Sequence, residues 1–432
     1  MKQTEYENRR RIVVIGGGFA GLNLAKKIDK KRFDITIIDS NNYHSFPPLF
    51  YQIASSGLDP SSISFPFRRE MRKGSVKGAT FRMGTVKTID FGRKTVHTQY
   101  ETVAYDILVI AAGTTNNFFG NPDLEKSVYT LKSVPEAIRC RDEILQRMER
   151  ATLTKDADVR RKLLSFTVIG GGPTGVEIAG ALGEMKRYIL PREYPTIAPD
   201  ELKITLVEGT DRLLGAMSEH SSRKALDYLH HLMVDVQLNQ LMKSYENDTV
   251  TLADGSTVET GMLIWTAGIT AHKFELAGGS PDLDRGGRFI VDTSCAVSGV
   301  DDVYALGDIA FMPTEHYPKG YPQLAQVAIQ QARHLAAELN GGKKVPFRYK
   351  DKGSMATVGR NLAVADLPHF HLSGFFAWLT WMFIHLISIL GMRNKLTVLI
   401  TWIWAYCSYP TSLRLIMYPA RYPLKSSIKS SE

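Results

Sequence analysis

The chain has 432 residues, of which 44% are hydrophobic and 22% are charged, so it can form two or three folded domains and is not a disordered polypeptide. Its net charge of +9 suits anionic ligands or an anionic membrane surface, but identifies neither by itself. Cys140, Cys295 and Cys407 lie far apart and form no C-x-x-C pair, which argues against a disulfide framework and against a sequence-local dithiol redox centre. The polar segment 1–11 has no apolar core of a secretory signal.

A glycine-rich loop occurs early in the chain, within a predicted βαβ unit. An apolar strand over residues 11–15 precedes the loop, a helical pattern follows over 21–31, and a second strand over 33–39 ends at Asp39. In this G-x-G-x-x-G pattern the first glycine permits a tight turn, the second lets the backbone approach a pyrophosphate, and the third allows close packing of helix on strand. The carboxylate of Asp39 can accept hydrogen bonds from a ribose diol. The predicted loop residues are Gly16, Gly18, Phe19, Ala20 and Gly21.

The same pattern recurs in the middle of the chain. A strand over 165–169, a helix over 176–188 and a strand over 203–208 flank the second loop, and three prolines between 185 and 201 predict an inserted loop after the helix. Glu208 ends the second strand, where it would bind a ribose 2′-hydroxyl and repel a 2′-phosphate, which predicts NADH rather than NADPH. The predicted residues of this loop are Gly170, Gly172, Pro173, Thr174 and Gly175.

Three further strands end in small or acidic residues. The strand over 105–113 ends in Ala112 and Gly113, and the strand over 261–268 ends in Ala267 and Gly268. Each is predicted to be the last strand of one of the two repeated halves. An apolar strand over 304–308 ends in Gly307 and Asp308, which places a carboxylate near a flavin ribityl and pyrophosphate. We therefore assign a flavin to the first loop and a nicotinamide to the second.

Residues 367–431 differ in character, because they contain six Lys or Arg and no Asp or Glu. The uncharged run 375–390 would form a helix of about 24 Å, shorter than the roughly 30 Å of a bilayer core, and the run 396–409 is shorter still. Their tryptophans suit the headgroup boundary, so we predict two helices that lie in one leaflet. A buried helical hairpin or a dimer core is the alternative. The basic residues predicted to meet anionic lipid are Arg393, Lys395, Arg414, Arg421, Lys425 and Lys429.

From about residue 11 to about residue 409 the chain resembles the type II NADH:quinone oxidoreductases, non-pumping enzymes of the two-dinucleotide flavoprotein superfamily. Besides the glycine loops, residues 48–54 resemble the segment these enzymes place beside the isoalloxazine. Residues 172–177 resemble their NADH loop, and residues 352–359 resemble a lysine-containing segment near the quinone tunnel. The match of residues 325–330 to their A-Q-x-A-x-Q segment, associated with the quinone pocket, makes the resemblance specific.

The residue pattern and this resemblance together suggest roles for five polar residues. Gln326 and Gln330 lie at i and i+4 of a predicted helix, so their amides project from one face and can orient a quinone carbonyl. Gln323 is a further candidate for this quinone site, and Gln326 is also expected to lie beside the cofactor. Glu177 is assigned a relay or positioning role in proton uptake, and its alternative is a surface acid stabilised by the helix dipole. Lys352 is assigned to stabilise an anionic quinol or flavin, or else lies on the surface. A solvated helix face is the alternative for the glutamines.

The sequence thus predicts an α/β protein with two Rossmann-like domains, which bind FAD non-covalently and NADH as substrate, and a C-terminal amphipathic helical segment that anchors it to a membrane. The expected division is 1–120 and 281–350 for FAD, 121–280 for NADH, and 351–432 for membrane association and quinone access. The expected partner is ubiquinone or menaquinone at the cytoplasmic side of the cell inner membrane. We expect no metal, no nucleic acid and no proton pumping, and leave a homodimer open.

Three other functions are considered. A sulfide:quinone oxidoreductase shares the scaffold but needs partnered catalytic cysteines. A soluble NADH oxidase or ferredoxin reductase has no need of the tryptophan-rich C-terminal segment. A membrane-bound NADH-sensing flavoprotein with slow turnover is compatible with the same motifs, and steady-state NADH oxidation with a short-chain quinone distinguishes it from an enzyme.

Overall fold

The computed structural model describes residues 9–74, 76–408 and 413–417. The chain divides into two compact units, and each contains discontinuous segments. The first unit is Met1–Ser45, Ser64–Thr115 and Ile269–Lys352, and the second is Phe46–Ile63, Asn116–Gly268 and Gly353–Glu432. The C-terminal segment therefore groups with the second unit, whereas the sequence assigned it a region of its own.

The strands are short, as is common in dinucleotide-binding folds. In the first half of the chain they are β1 (Arg10–Ile15), β2 (Phe33–Asp39), β3 (Tyr43–Ser45), β4 (Ser64–Pro66), β5 (Thr80–Met83), β6 (Val86–Asp90), β7 (Thr95–Thr98), β8 (Thr102–Ala104), β9 (Ile107–Ile110), β10 (Thr114–Asn116), β11 (Tyr129–Thr130), β12 (Ser165–Ile169) and β13 (Lys203–Val207). They continue with β14 (Asp235–Gln237), β15 (Met242–Glu246), β16 (Thr249–Leu252), β17 (Thr257–Glu259), β18 (Met262–Trp265), β19 (Ile269–Ala271), β20 (Glu275–Ala277), β21 (Phe289–Ile290), β22 (Val303–Ala305), β23 (Ala310–Phe311), β24 (Ser354–Gly359), β25 (Leu362–Leu367) and β26 (Phe370–Ser373).

The α-helices vary more in length. They are α1 (Phe19–Lys27), α2 (Phe50–Ala54), α3 (Phe67–Lys73), α4 (Pro122–Ser127), α5 (Val134–Leu153), α6 (Ala157–Leu163), α7 (Pro173–Glu184), α8 (Leu190–Glu193), α9 (Glu219–His231), α10 (Ala325–Leu339), α11 (Phe375–Ser388) and α12 (Met392–Ser408). Short 3-10 turns occur at Pro47–Leu49, Pro60–Ser62 and Gly307–Ile309.

Each unit contains a five-stranded parallel sheet of the same layout. In the first unit the order is β22-β9-β1-β2-β5, and in the second it is β11-β18-β12-β13-β14. The central strands β1 and β12 read as continuous apolar runs because both faces of a parallel sheet are covered, and Ile12–Val14 and Phe166–Val168 are fully buried. The α/β class and the repeated dinucleotide-binding fold are confirmed.

One expected loop is replaced by helix. The prolines of residues 185–201 predicted a loop directly after α7, but a π-helical turn over Met185–Ile189 and then α8 continue the helix. Pro191 lies in the first turn of α8, directly after the π-helical turn, where the backbone N–H of Leu190 bonds the carbonyl oxygen of Met185 five residues back. The irregular segment begins only at Tyr194.

The C-terminal part of the second unit is a three-stranded antiparallel sheet, β24-β25-β26, followed by α11 and α12. Gly391, with φ +79°, forms the turn between the two helices, since this left-handed conformation favours glycine. Each helix buries one face, and the buried residues are Ala377, Trp381, Val398 and Trp402. No helix in the described part of the chain combines the length and the apolar character needed to cross a membrane.

Candidate active site

The first glycine loop connects β1 to α1, and each of its three glycines is needed for a different steric reason. Gly16 has φ +99°, and a Cβ there would lie 2.4 Å from the Ala111 carbonyl oxygen. A Cβ on Gly21 would lie 2.0 Å from the Gly16 oxygen, so the close approach of helix and strand requires glycine. At Gly18 a Cβ would meet nothing within 4 Å. The open side of Gly18 is therefore left for a group outside the chain, at the N-terminus of a helix that attracts phosphate.

Asp39 holds this loop in place from the end of β2. Its Oδ2 accepts a hydrogen bond from Gly17 N at 2.7 Å, and its Oδ1 accepts one from Asn41 N at 2.8 Å. Burial raises the pKa of Asp39, while these backbone N–H groups lower it in part. The carboxylate thus fixes the loop while it lies at the strand end where the ribose is expected.

A cavity of about 450 Å³ opens at the C-terminal ends of β1, β2 and β9. Gly16, Asp39 and Ala112, which the sequence assigned to the first dinucleotide, line it. Lys87 and Lys273 line it too, and neither was singled out from the sequence because they lie on segments far from the glycine loop. Their positive charges suit an anionic ligand.

The start of α1 is supported by a buried histidine. His44 Nδ1 donates to the Gly17 carbonyl oxygen at 2.9 Å, because a carbonyl can only accept. Burial lowers the pKa of His44 to about 4, so the ring is neutral near pH 7. Phe19 contacts this ring edge-on at a centroid distance of 5.7 Å, and the neighbouring Ala20 is buried.

Gly307 and Asp308 were predicted to end a strand over 304–308, but β22 ends at Ala305 and they begin the 3-10 turn that follows it. Gly307 has φ +74°, and Gly307 N donates at 2.7 Å to Oε1 of Gln331, a fully buried side chain of α10. The Asp308 backbone oxygen accepts from Gln323 Nε2 at 2.9 Å, and Thr114 Oγ1 donates to its carboxylate at 3.5 Å. Gly113, with φ +67°, again faces open space. The sequence missed Gln331, whose partner is 24 residues away.

The side-chain amides of Gln326 and Gln330 hydrogen-bond the backbone of the extended segment that contains Lys352. Gln330 accepts from Lys350 N at 3.0 Å and donates to Lys350 O at 2.9 Å. Gln326 Oε1 accepts from Lys352 N at 3.2 Å, and the Lys352 side chain is exposed. The structure therefore brings Gln326, Gln330 and Lys352 together, with the amides bonded to backbone. Their contact with a quinone stays a prediction.

The second glycine loop repeats the geometry of the first. Gly170 has φ +108°, and a Cβ on Gly175 would lie 1.8 Å from the Gly170 oxygen. Gly172 is the N-cap of α7, and a Cβ there would meet nothing within 4 Å. Pro173 and Thr174 follow it and are exposed at the start of the helix. Pro173 fits the first helical position because its fixed φ is already helical.

Glu208 takes the place that Asp39 has in the first loop. Its Oε2 accepts from Gly171 N at 2.6 Å, and its Oε1 accepts from both Thr210 N and Thr210 Oγ1 at 2.8 Å. The sequence did not predict Thr210 as a partner, although a threonine two residues after an acid is a common local hydrogen-bond pattern. Both carboxylate oxygens of Glu208 are thus held in place by hydrogen bonds within the protein.

Ala267 and Gly268 follow β18 beside this loop. Gly268 has φ +86°, and Thr266 Oγ1 hydrogen-bonds the carbonyl oxygens of Ile169 and Gly170 at 2.8 and 3.0 Å. Since that hydroxyl has one hydrogen, these are alternative donations. They place the end of β18 against the turn of the glycine loop.

Glu177 lies one turn into α7 and is only 8% exposed, so it is not the surface acid of the alternative prediction. Burial raises its pKa well above 4.5, and a hydrogen bond from the Thr357 backbone N–H lowers it in part. The same helix packs directly on β24, since a Cβ on Gly180 would lie 1.9 Å from the Val358 carbonyl oxygen. A protonated carboxyl at this position can donate as well as accept a hydrogen bond.

The cysteines do not form a catalytic pair. Cys140 and Cys295 are buried, and burial raises the pKa of both thiols above the usual range. A neutral, buried thiol is a poor nucleophile. Cys407 is exposed and free. This arrangement does not supply the partnered cysteines that a sulfide:quinone oxidoreductase would need.

Comparisons with known proteins agree with this geometry. The family model described as pyridine nucleotide-disulphide oxidoreductase matches residues 10–332, and the model of the NDH2 C-terminal domain matches residues 352–407. Type II NADH:quinone oxidoreductase Ndh of Mycobacterium tuberculosis is 35% identical over 420 residues, covering 93% of this chain and 89% of that protein. The mitochondrial internal alternative NAD(P)H-ubiquinone oxidoreductase A1 of Solanum tuberosum is 30% identical, covering 93% and 88%.

Among solved structures, NDH2 from Plasmodium falciparum in complex with NADH superimposes with a TM-score of 0.85 at 21% identity, covering 95% of this chain and all of that one. At this identity the likeness establishes the fold. The family is established by the sequence matches, which extend over both glycine loops and the C-terminal helices. This chain belongs to the type II NADH:quinone oxidoreductase family.

Proposed function

We propose that this chain is an FAD-dependent NADH:quinone oxidoreductase that transfers two electrons from NADH to a membrane quinone without pumping protons. The observation that carries the proposal is a nucleotide-binding loop that occurs once in each unit, here called a cradle. In each cradle a glycine-rich loop follows a strand, one glycine faces open space, and an acid at the end of the next strand hydrogen-bonds the loop. Two dinucleotides in one chain are most simply explained by a flavin and a nicotinamide that exchange a hydride. The name of the Mycobacterium tuberculosis relative specifies NADH as donor and quinone as acceptor, and that of the Solanum tuberosum relative specifies NAD(P)H and ubiquinone.

The first cradle fits FAD. Gly18 and Gly113 leave open space, and Gly16, Asp39 and Ala112 line the adjoining cavity. The buried amide of Gln331 fixes the Gly307 turn, so that Asp308 is held at the end of β22. In this proposal residues 1–120 and 281–350 bind the flavin non-covalently. A flavin there would supply the hydride-accepting and electron-donating chemistry that no side chain of this protein has.

The second cradle fits NADH, within residues 121–280. Gly172 leaves room for the pyrophosphate at the start of α7, and Glu208 presents a fixed carboxylate at the strand end. A carboxylate accepts hydrogen bonds from a ribose diol and repels a 2′-phosphate, so NADH is preferred over NADPH. Burial raises the pKa of the Glu177 carboxyl well above 4.5, and in its protonated form this carboxyl can donate a hydrogen bond or a proton during quinone reduction.

The C-terminal helices attach the protein to the membrane by one face. Phe376, Phe383, Ile400 and Trp404 expose between 62% and 70% of their surface, which is unusual for such large apolar residues. The opposite face of the same two helices is buried. One face can therefore serve as the predicted membrane anchor while the other packs as in the alternative, a buried helical hairpin. The membrane in this proposal is the cell inner membrane, approached from its cytoplasmic side, with ubiquinone or menaquinone as acceptor.

The basic residues of this segment are not equivalent. Arg414 forms an ion pair with Glu193 and is largely buried, so the prediction that it meets lipid is wrong. Lys395 donates to the Ile387 carbonyl oxygen at 2.6 Å, while Arg393 is exposed. Arg421, Lys425 and Lys429 lie outside the described residues. A homodimer stays a prediction.

The decisive experiment is an anaerobic spectral titration of the purified protein. We expect a yellow protein whose absorbance near 450 nm bleaches with about one equivalent of NADH and returns on addition of a short-chain quinone. A protein that stays colourless after incubation with FAD would falsify the proposal. Turnover no faster than about one per second would favour a sensor over an enzyme.

A further inference from the structure

A series of hydrogen bonds connects the C-terminal helices to α2 within the second unit. Trp402 Nε1 of α12 donates to Gln52 Oε1 at 2.9 Å, and Gln52 Nε2 donates to the phenolic oxygen of Tyr51 at 2.8 Å. Both Tyr51 and Trp402 are buried. α2 itself packs against α7, the helix of the second glycine loop.

The direction of this series is fixed by chemistry. An indole N–H can only donate, so the atom of Gln52 that faces Trp402 must be the carbonyl oxygen, and the amide NH₂ must face Tyr51. The Tyr51 oxygen is therefore an acceptor from Gln52, and its own hydrogen is directed elsewhere. Hydrogen bonds in series polarise one another, which strengthens the last donor.

Tyr51 keeps its proton under working conditions. Burial raises its pKa well above 10, the carboxyl groups of Glu177 and Glu184 raise it further whenever they are ionised, and the hydrogen bond from Gln52 lowers it in part. A buried neutral phenol suits an uncharged acceptor such as a carbonyl oxygen. It can orient that acceptor without adding a charge to an apolar site.

The surroundings of Tyr51 are aromatic and lie behind the exposed apolar face. Its ring contacts Trp381 edge-on at 6.4 Å, and Trp381 stacks on His385 at 4.0 Å. The Trp381 indole N–H is buried without a hydrogen-bond partner among the described residues. On the outer side of these helices Phe383, Ile400 and Trp404 are exposed. Groups able to donate hydrogen bonds therefore lie beneath this exposed apolar face.

We propose that Tyr51 donates a hydrogen bond to a carbonyl oxygen of the bound quinone, and that Gln52 and Trp402 are positioning residues that aim its hydroxyl. This inference rests on the proposed quinone reduction. No bond forms or breaks at Tyr51, which stabilises the negative charge that develops on the quinone oxygen as electrons arrive. The C-terminal helices thereby take part in the reaction as well as in attachment.

The test uses the full-length protein loaded with flavin, and separates the two half-reactions in anaerobic stopped flow. NADH bleaching is followed first, and reoxidation by a short-chain ubiquinone analogue second. For Tyr51→Phe we expect reoxidation to slow by about a hundredfold to a thousandfold, the range for loss of one donor to a developing charge, with bleaching changed less than about twofold. Trp402→Phe keeps the ring and removes the N–H, so it should slow reoxidation by a smaller factor. Tyr100→Phe, at an exposed tyrosine that the proposal does not involve, should change neither rate.

The double variant Tyr51→Phe, Trp402→Phe distinguishes positioning from packing. If Trp402 acts through Tyr51, the double variant reoxidises no more slowly than Tyr51→Phe alone. Multiplied effects would show that Trp402 acts by packing, and would overturn its positioning role. Gln52→Met interrupts the series at its middle and replaces Trp402→Phe should that variant not fold.

Other outcomes are also decisive. Normal reoxidation by Tyr51→Phe, or equal losses in bleaching and reoxidation, overturns the inference. Failure of the unmodified protein to reoxidise with any quinone contradicts the proposed function instead, so the two failures are distinguishable.

Discussion

The Glu208 carboxylate accepts a hydrogen bond from Gly171 N at 2.6 Å, just as Asp39 accepts one from Gly17 N at 2.7 Å in the other unit. The acid that would select the ribose thus also shapes the turn that would hold the pyrophosphate. We therefore expect loop conformation and nucleotide choice to be coupled at one residue in each cradle.

Glu208→Gln tests the predicted choice of nucleotide. The amide removes the negative charge, so a 2′-phosphate is no longer repelled, and we expect the ratio of kcat/KM for NADPH to that for NADH to rise at least about tenfold, or about 1.4 kcal/mol. Steady-state kinetics with both nucleotides measure this ratio. Glu246→Gln, an exposed acid of the same unit, is the control. An unchanged ratio would remove Glu208 from the ribose.

Two glycine substitutions separate binding from folding. Gly172→Ala introduces a Cβ into open space, so the protein should fold with its flavin while the KM for NADH rises by about tenfold or more, because the methyl group occupies the pyrophosphate approach. Gly175→Ala forces a Cβ to 1.8 Å from the Gly170 oxygen, so it should lower the melting temperature. Kinetics and thermal melts check both. A normal KM in Gly172→Ala would contradict the assignment.

The glycines of each loop were predictable because they recur in a fixed pattern within six residues, although the Cβ that Gly16 lacks would also meet the distant Ala111 carbonyl oxygen. Gln331 was not, because its role depends on Gly307 N, which only the fold brings to α10. Trp402 and Trp404 were both assigned to the headgroup boundary, yet one is 8% and the other 63% exposed. The sequence could not separate them, since the run around them is apolar on nearly every side.

Gln331→Leu tests how strongly the Gly307 turn depends on its buried partner. The variant leaves a buried N–H without an acceptor, which costs about 1–3 kcal/mol, so we expect a lower melting temperature and a smaller fraction of bound flavin. The ratio of absorbance near 450 nm to protein absorbance measures the flavin fraction. Gln330→Leu, whose amide bonds the more exposed Lys350, is the comparison and should retain more flavin. The reverse order would contradict this role.

His385 should make the protein sensitive to mild acid. Burial lowers its pKa to about 4, below the usual 6.5, so its contribution to stability is present above pH 6.5 and is lost as pH falls towards 4. His385→Phe should therefore flatten the fall of melting temperature across this window. A residual slope is expected from His44, whose pKa burial also lowers to about 4. His369→Phe, at an exposed position, is the control, and equal slopes in both variants would contradict the prediction.

Membrane attachment is best tested by point changes, because deleting α11 and α12 would uncover the core that Trp381, Val398 and Trp402 cover. Phe383→Asp with Ile400→Asp places two charges on the exposed face, where they oppose insertion among lipid headgroups and acyl chains. We expect binding to vesicles of mixed anionic and neutral lipid to fall at least tenfold, on the order of 1.4 kcal/mol or more, in a flotation assay. Leu153→Asp, at an exposed apolar residue at the end of α5, should bind as the unmodified protein does. Flavin bleaching by NADH should be unchanged in all three proteins, since these side chains lie outside both cradles. Undiminished binding of the double variant would place the attachment surface elsewhere.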